Sequence, residues 1–578
     1  MEPPPPPQVP PPPPPPPAPP LAPPRPGLPR PVRVLIGLLL LLPAGIALLI
    51  GYLIPTIRTV IWSFQARTPL AEGADWVGFD NYADLFEDGF GGALLFTVGF
   101  TIAPLATLLI VGPLLAAAAH HAGKPGRLLV RLGLTVPMVC FAPVALAVGW
   151  MLDRYDFDHP RLTVWLAAWL TLFGLVSAIG VKVFLAVLRG GAPGRPAWPA
   201  GLAVGGLAVL TVLALTLQTF TYPMVITAGG PARQTVTPML DVFSDGFRLL
   251  ATGLGAAGAT IVLVLLMVLG IAAWLIVALS GLRFEVADHP GPTGKLWAVL
   301  ATVAGLLVVL GITLYGLWPW LHRLGQFGPE EFSSDLGPTL VNTWLPPLVS
   351  TVIGVGLAAI AGFGIGTLRP FGRWSELLLL PFAPWLFVGI GPLMLVKYDN
   401  AVNGVGVGTF LSRIPPIWLA IPALFLFTML GRGLAQSGRG YGSVVLRALP
   451  FVALVTVATW LVQAQSLLWG YLVGTTDGMG APTRVLNFVG QYIGAREDNI
   501  PIGWVLPIPV ILVFALGLAA LNAFYLDPLT IRAGRERPPA VQPPVPPPPA
   551  STGAPPPPPP PAFGAPPTAD AAPSDAKS

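Results

Sequence analysis

Apolar and polar positions along this chain alternate on the scale of whole membrane crossings. Runs of about 20 mostly apolar residues, the length that crosses a bilayer's hydrocarbon core, fall at Val34–Phe64, Gly92–Ala119, Leu128–Leu152, Leu162–Leu188, Ala200–Phe220 and Leu254–Leu282. Six more follow at Leu296–Leu321, Pro338–Leu368, Ser375–Val396, Pro416–Leu430, Leu446–Val473 and Ile502–Leu526. The stretch Leu282–Lys295 is the clear polar break between two apolar blocks of similar size. It reads as a linker between two pseudo-symmetric halves of about six spans each. Lipid cannot satisfy free backbone groups, so every run is expected to be a helix and the fold all-α and polytopic. Prolines inside the runs, among them Pro43, Pro104, Pro137 and Pro381, predict kinks.

The placement of Lys and Arg orients these spans, because short cytoplasmic loops are enriched in both. With the N-terminus in the cytosol, the loops on that side carry Lys124, Arg127, Arg189, Arg195, Arg283, Lys295, Arg369, Arg373, Arg432, Arg439 and Arg447. The opposite loops are acidic, with Asp75, Asp80, Asp84, Glu87 and Asp88 in the first and Asp153, Asp156 and Asp158 in the second. Both termini are therefore expected in the cytosol. The outer loops are short, so high-affinity capture of a solute is expected to occur on another protein.

Composition agrees with a lipid-embedded chain. Of 578 residues, 54% are hydrophobic and 10% charged, against about 25% charged in a soluble protein. The net charge of +5 is scattered through loops instead of forming one patch, which argues against a nucleic-acid partner. Cys140 is the single cysteine, so no intrachain disulfide can form. No cleavable leader pattern is expected at the N-terminus. Residues 1–30 and 538–578 are dominated by proline and are expected to be extended, disordered tails, with docking to a proline-recognising partner as the alternative. The chain thus divides into a tail (1–30), a first half (31–282), a linker (283–295), a second half (296–537) and a second tail (538–578).

Nucleotide chemistry is missing from the sequence. No G-x-x-x-x-G-K-[ST] phosphate loop occurs, since Gly294-Lys295 is followed by Leu296 and Gly123-Lys124 by Pro125. If ATP drives this protein, the motor is a separate chain. At Trp76-Val77-Gly78-Phe79-Asp80-Asn81-Tyr82-Ala83-Asp84-Leu85-Phe86-Glu87-Asp88 the sequence resembles the F-x-G-L-x-N-Y-x-x-L-F-x-D run of sugar-type (maltose-type) ABC importer permeases. Ile226-Thr227-Ala228-Gly229-Gly230-Pro231-Ala232-Arg233-Gln234-Thr235 is similar to that family's L-T-x-G-G-P-x-x-x-T after the fifth span. In the second half, Thr339–Thr343, Leu368–Arg373 and Trp469–Leu472 resemble short runs of the family's partner subunit. The resemblance covers roughly Val34 to Arg537 and implies two permease halves fused in one chain. It further implies a bacterial plasma-membrane location, partnership with ABC ATPase subunits and an extracytoplasmic solute-binding protein, and no enzyme activity or cofactor in this chain.

The resemblance places the ATPase-coupling loops at Gly190, Gly191 and Arg195 in the first half and at Gly438, Arg439, Leu449 and Pro450 in the second. In the family this loop is a short helix whose acid reaches a basic residue of the motor. Both loops here lack a Glu, so the pairing with a motor must differ. Candidate pathway residues lie on the fifth span of each half: Gln218, Thr219 and Tyr222, then Gln463, Gln465, Trp469 and Tyr471. Amides and aromatics suit a neutral sugar, although the same residues also bond between helices and form interfacial belts. Lys182 sits within a span and either snorkels to the headgroups or faces a pathway. His120 and His121 have no third metal ligand nearby. Two other readings stay open: a twelve-span ion-coupled carrier, and a permease-like scaffold whose proline tails recruit partners.

Overall fold

The computed structural model describes residues 28–69, 73–191, 196–286, 292–328, 336–436, 441–475, 478–492 and 500–534. Helix α1 (Arg30–Trp62) and α2 (Phe90–His121) are followed by a bent pair, α3 (Gly123–Val139) and α4 (Pro143–Arg154), set at 77° to one another. Next come α5 (Pro160–Gly190), α6 (Trp198–Ile226), α7 (Thr252–Ser280), α8 (Leu296–Leu321) and α9 (Leu336–Leu368). Helix α10 (Ile421–Ala435) is apolar but only 15 residues long, and α11 (Tyr441–Ala464) and α12 (Ile502–Phe524) complete the set. Nine of the described helices are long and apolar enough to cross a bilayer, or ten if the bent pair is one span. Leu95, Leu307 and Leu516 are exposed on them, an apolar surface that lipid covers. The protein is an all-α, multi-pass membrane type.

Nine of the twelve expected spans appear as long helices, and the other three differ for local reasons. The span expected at Leu128–Leu152 breaks at Cys140, between Pro137 and Pro143. Ala142 sits at φ −138°, ψ 69°, outside the helical region that the residue before a proline avoids. The span expected at Ser375–Val396 is not a regular α-helix. Residues Gly372–Trp385 form a 14-residue 3-10 helix containing Pro381 and Pro384, and an α-helix resumes only at Met394–Gly404. Each proline removes an amide donor, and a 3-10 helix rises ~2 Å per residue, so this stretch is roughly 28 Å long. The expected Pro416–Leu430 becomes α10, shifted toward the following loop. Two other prolines each follow a widened turn of their helix: Pro55 comes after the π-type turn Leu49–Leu53, and Pro113 after Thr107–Val111.

Two small antiparallel strand pairs interrupt the helices. β1 (Gln65–Ala66) pairs with β2 (Asp75–Trp76). β3 (Arg283–Val286) pairs with β4 (Leu529–Arg532), with Phe284 opposite Ile531. The polar break expected to be a plain linker is therefore in part a strand, paired with the chain that follows α12. Its far end is also fastened, because the Lys295 amide donates to the His121 carbonyl at 3.1 Å. The described residues up to Gly534 pack as one compact unit.

Candidate functional site

The start of α9 and the end of α11 meet at a small cavity lined by both polar and apolar side chains. The start of α9 supplies Asn342 and Thr343, the end of α11 supplies Gln463, and the short helix Leu467–Val473 supplies Trp469. The segment Phe410–Arg413 adds Arg413, and Ser466 and Thr483 add hydroxyls. The cavity volume is about 70 Å³. One water needs about 10–15 Å³ on this measure, so several waters fit.

Among the described residues, Arg413 is the one charged side chain on the cavity wall. Its Nη1 donates to Asn342 Oδ1 at 2.8 Å and its Nη2 to the Gly408 carbonyl at 2.7 Å. Its Nε is buried and makes no hydrogen bond among the described residues, and neither does Gln463 Oε1. Trp469 Nε1 donates to the Ser412 carbonyl at 3.0 Å, which fixes the indole at the wall. Gly478 lies against the guanidinium, and a Cβ there would collide with it. The site thus offers amide, hydroxyl and guanidinium donors together in an otherwise apolar body.

Of the expected pathway residues, Gln463 and Trp469 line this cavity and the others do not. Gln465 is fully buried and its Nε2 donates to the Val505 carbonyl at 3.1 Å. Tyr471 stacks edge-on against Phe243, with ring centroids 5.8 Å apart. In the first half, Gln218 fastens the break after the 3-10 helix: its Nε2 donates to the Phe387 carbonyl and its Oε1 accepts from the Gly389 amide, each at 2.8 Å. The Thr219 carbonyl accepts from Thr237, and the Tyr222 hydroxyl is 2.5 Å from Thr171 Oγ1. These three are packing and bonding residues. Lys182 places its Nζ 2.6 Å from the Met138 sulfur, away from the cavity.

Of the residues expected to couple to a motor, the described ones lie away from the cavity. The Gly190 carbonyl accepts from Arg532 Nε at 2.9 Å, and the Gly191 amide donates to Leu188. Leu449 and Pro450 are within α11, not in a loop. Arg195, Gly438 and Arg439 lie outside the described residues. Here the strand pair meets a cluster that sequence reasoning missed. Asp527 takes Arg131 at 2.6 Å, Arg189 at 2.9 Å and Arg127 at 3.1 Å. Burial raises its carboxyl, but the Arg127 hydrogen bond and the charges of Arg131, Arg189 and Arg127 outweigh that and hold it below the ordinary value.

The runs that carry the family resemblance are compact local structures. Asn81 Nδ2 donates to the Ser63 and Gln65 carbonyls, and Tyr82 bonds the Ser63 hydroxyl at 2.7 Å, closing the β1–β2 turn. Thr227 and Thr235 join their hydroxyls at 2.6 Å across the Gly229-Gly230-Pro231 loop. No known protein-family model matches this chain, and no curated protein matches it in sequence.

Proposed function

We propose that the chain is the membrane-spanning permease of an ABC importer, two permease halves fused in one polypeptide. It forms the translocation pathway for a sugar or a similarly small polar solute. Separate ATPase subunits drive it from the cytosolic side of a bacterial plasma membrane, and an extracytoplasmic binding protein delivers the solute. The observation that carries this reading is the cavity walled by Asn342, Thr343, Gln463 and Trp469. It lies where α9 and α11 end, in a body whose other long helices are apolar, and it draws on two of the runs that resemble the family.

Alternating access then amounts to a population shift, in which motor closure favours the state open to the solute. The two inner loops share one anchor, which supports coupled movement. The first begins at Gly190, bonded to Arg532 on β4. The second follows Gly433, whose backbone lies so close to the Phe284 carbonyl on β3 that a Cβ would collide with it. The test is purification from native membranes followed by reconstitution. An ATPase subunit should co-purify, and uptake into liposomes should require ATP. Uptake driven by an ion gradient without ATP, and no ATPase in the purified complex, would replace this reading with the ion-coupled carrier.

A further inference from the structure

We infer that the cavity at the ends of α9 and α11 receives the carboxylate end of a small hydroxy acid, with Arg413 as its counter-ion; this narrows the solute of the permease reading and rests on it. The first argument is charge. Among the described residues, Arg413 is the one charged residue on the wall, and none of their carboxylates pairs with it. Its two bonds go to neutral oxygens of Asn342 and Gly408. These satisfy N–H groups but bring no negative charge to the guanidinium. A carboxylate is the ligand that a planar guanidinium fork binds best.

The second argument is the remaining valence of the wall. A guanidinium carries five N–H donors; two have the partners above, and Nε is buried without one. Asn342 Oδ1 already accepts from Arg413, and its amide N–H groups remain free to donate to a ligand. Gln463 Oε1 is buried and without a partner, so it can accept from a hydroxyl on the carbon beside the carboxylate. Size is the third argument. The cavity is small, about 70 Å³, which suits a compact ligand group, so what docks against Arg413 is an acid group and its neighbouring carbinol. Trp469 presents an apolar wall to the carbon of that unit.

The experiment is direct binding to the purified full chain in detergent, without ATP or motor, using labelled lactate, gluconate, glucose and inorganic phosphate as probes. Lactate or gluconate should bind and glucose should not. R413Q should weaken acid binding roughly 30-fold or more, and R413K by less. Q463E, which keeps the size of the side chain and puts a negative charge on the wall, should abolish it; this variant keeps the test decisive if R413Q fails to fold. Glucose binding that R413Q leaves unchanged would overturn the inference, as would phosphate binding in preference to both acids. So would acid binding that appears only in D477N, a residue next to Gly478 in sequence and outside the described residues, because the chain's own acid would then be the counter-ion. The permease reading is judged separately: acid binding without ATP-driven uptake would remove that reading and leave this one, and ATP-driven uptake of glucose alone would do the reverse.

Discussion

At the end of the body that carries the strand pair, seven arginines share three carboxylates. Asp527 holds Arg127, Arg131 and Arg189; Glu285 holds Arg283 and Arg532; Glu376 holds Arg432 and, at 3.9 Å, Arg369. At the opposite end Arg413 reaches only neutral oxygens and faces a cavity. The first arrangement ties together distant parts of the chain: Asp527 alone joins α3, α5 and the segment after α12. The second joins little and keeps a cation available. The arginines at the first end bring their own counter-ions, and Arg413 does not. This difference can be tested by removing one partner at each end.

The largest effect is expected at Asp527. Removing the carboxylate takes a shared counter-ion from Arg127 and Arg131, both nearly fully buried. Breaking a fully buried pair costs about 3–5 kcal/mol; Asp527 is 28% exposed, so D527N should lose about 2–4 kcal/mol. The pH dependence has a definite sign. A carboxyl held below its ordinary value stabilises the fold above that value, about 4, and the contribution is lost as pH falls through the folded value. Melting temperature in detergent should therefore drop for the wild type as pH falls below about 4, while D527N shows a smaller drop over that window. Parallel curves for the two proteins would mean that Asp527 does not organise this end.

Next in size is G433A. The backbone of Gly433 on α10 meets the Phe284 carbonyl of β3 with no room for a methyl group. Overpacking of this kind costs about 1–3 kcal/mol, and here the strain is relieved by lifting β3 away. The expected signature is faster amide exchange at Arg283–Val286 and Leu529–Arg532 together, since the two strands protect each other. Faster exchange in β3 with β4 unchanged would separate the strands and break the idea of a shared anchor. Q218L belongs in the same range, about 1–3 kcal/mol, because it strands the Phe387 carbonyl and Gly389 amide at the break after the 3-10 helix.

Much of the helical body was legible in the sequence and little of either charged end was. Long apolar runs announce spans because lipid leaves the backbone no alternative, and nine of twelve appear as long helices. The 3-10 course of Gly372–Trp385 was hidden because hydropathy is blind to which carbonyl an amide selects. The strands Arg283–Val286 and Leu529–Arg532 are four residues each and nearly 250 apart, so no local pattern announces their pairing. Gln463 and Trp469 were found because an amide and an indole at the end of an apolar run stand out. Arg413 was missed because it lies in a stretch read as an ordinary outer loop. Nothing in its sequence singles it out, because the loops on that face carry other arginines too, among them Arg154, Arg161 and Arg233.

The smallest stability effect is expected where the functional effect is greatest. R413Q removes a charge that no described carboxylate neutralises and strands the Asn342 and Gly408 oxygens. Each stranded acceptor costs about 1 kcal/mol, and a shorter amide in the same place recovers part of that, so the net change should lie within about 1 kcal/mol of wild type. Such near-neutrality is the mark of a residue kept for a ligand at the expense of stability. Thermal melts of R413Q and D527N under one set of conditions give the comparison directly: D527N should melt well below wild type and R413Q close to it. An R413Q melt as low as that of D527N would make Arg413 another structural tie, and the two ends of the molecule would then be alike.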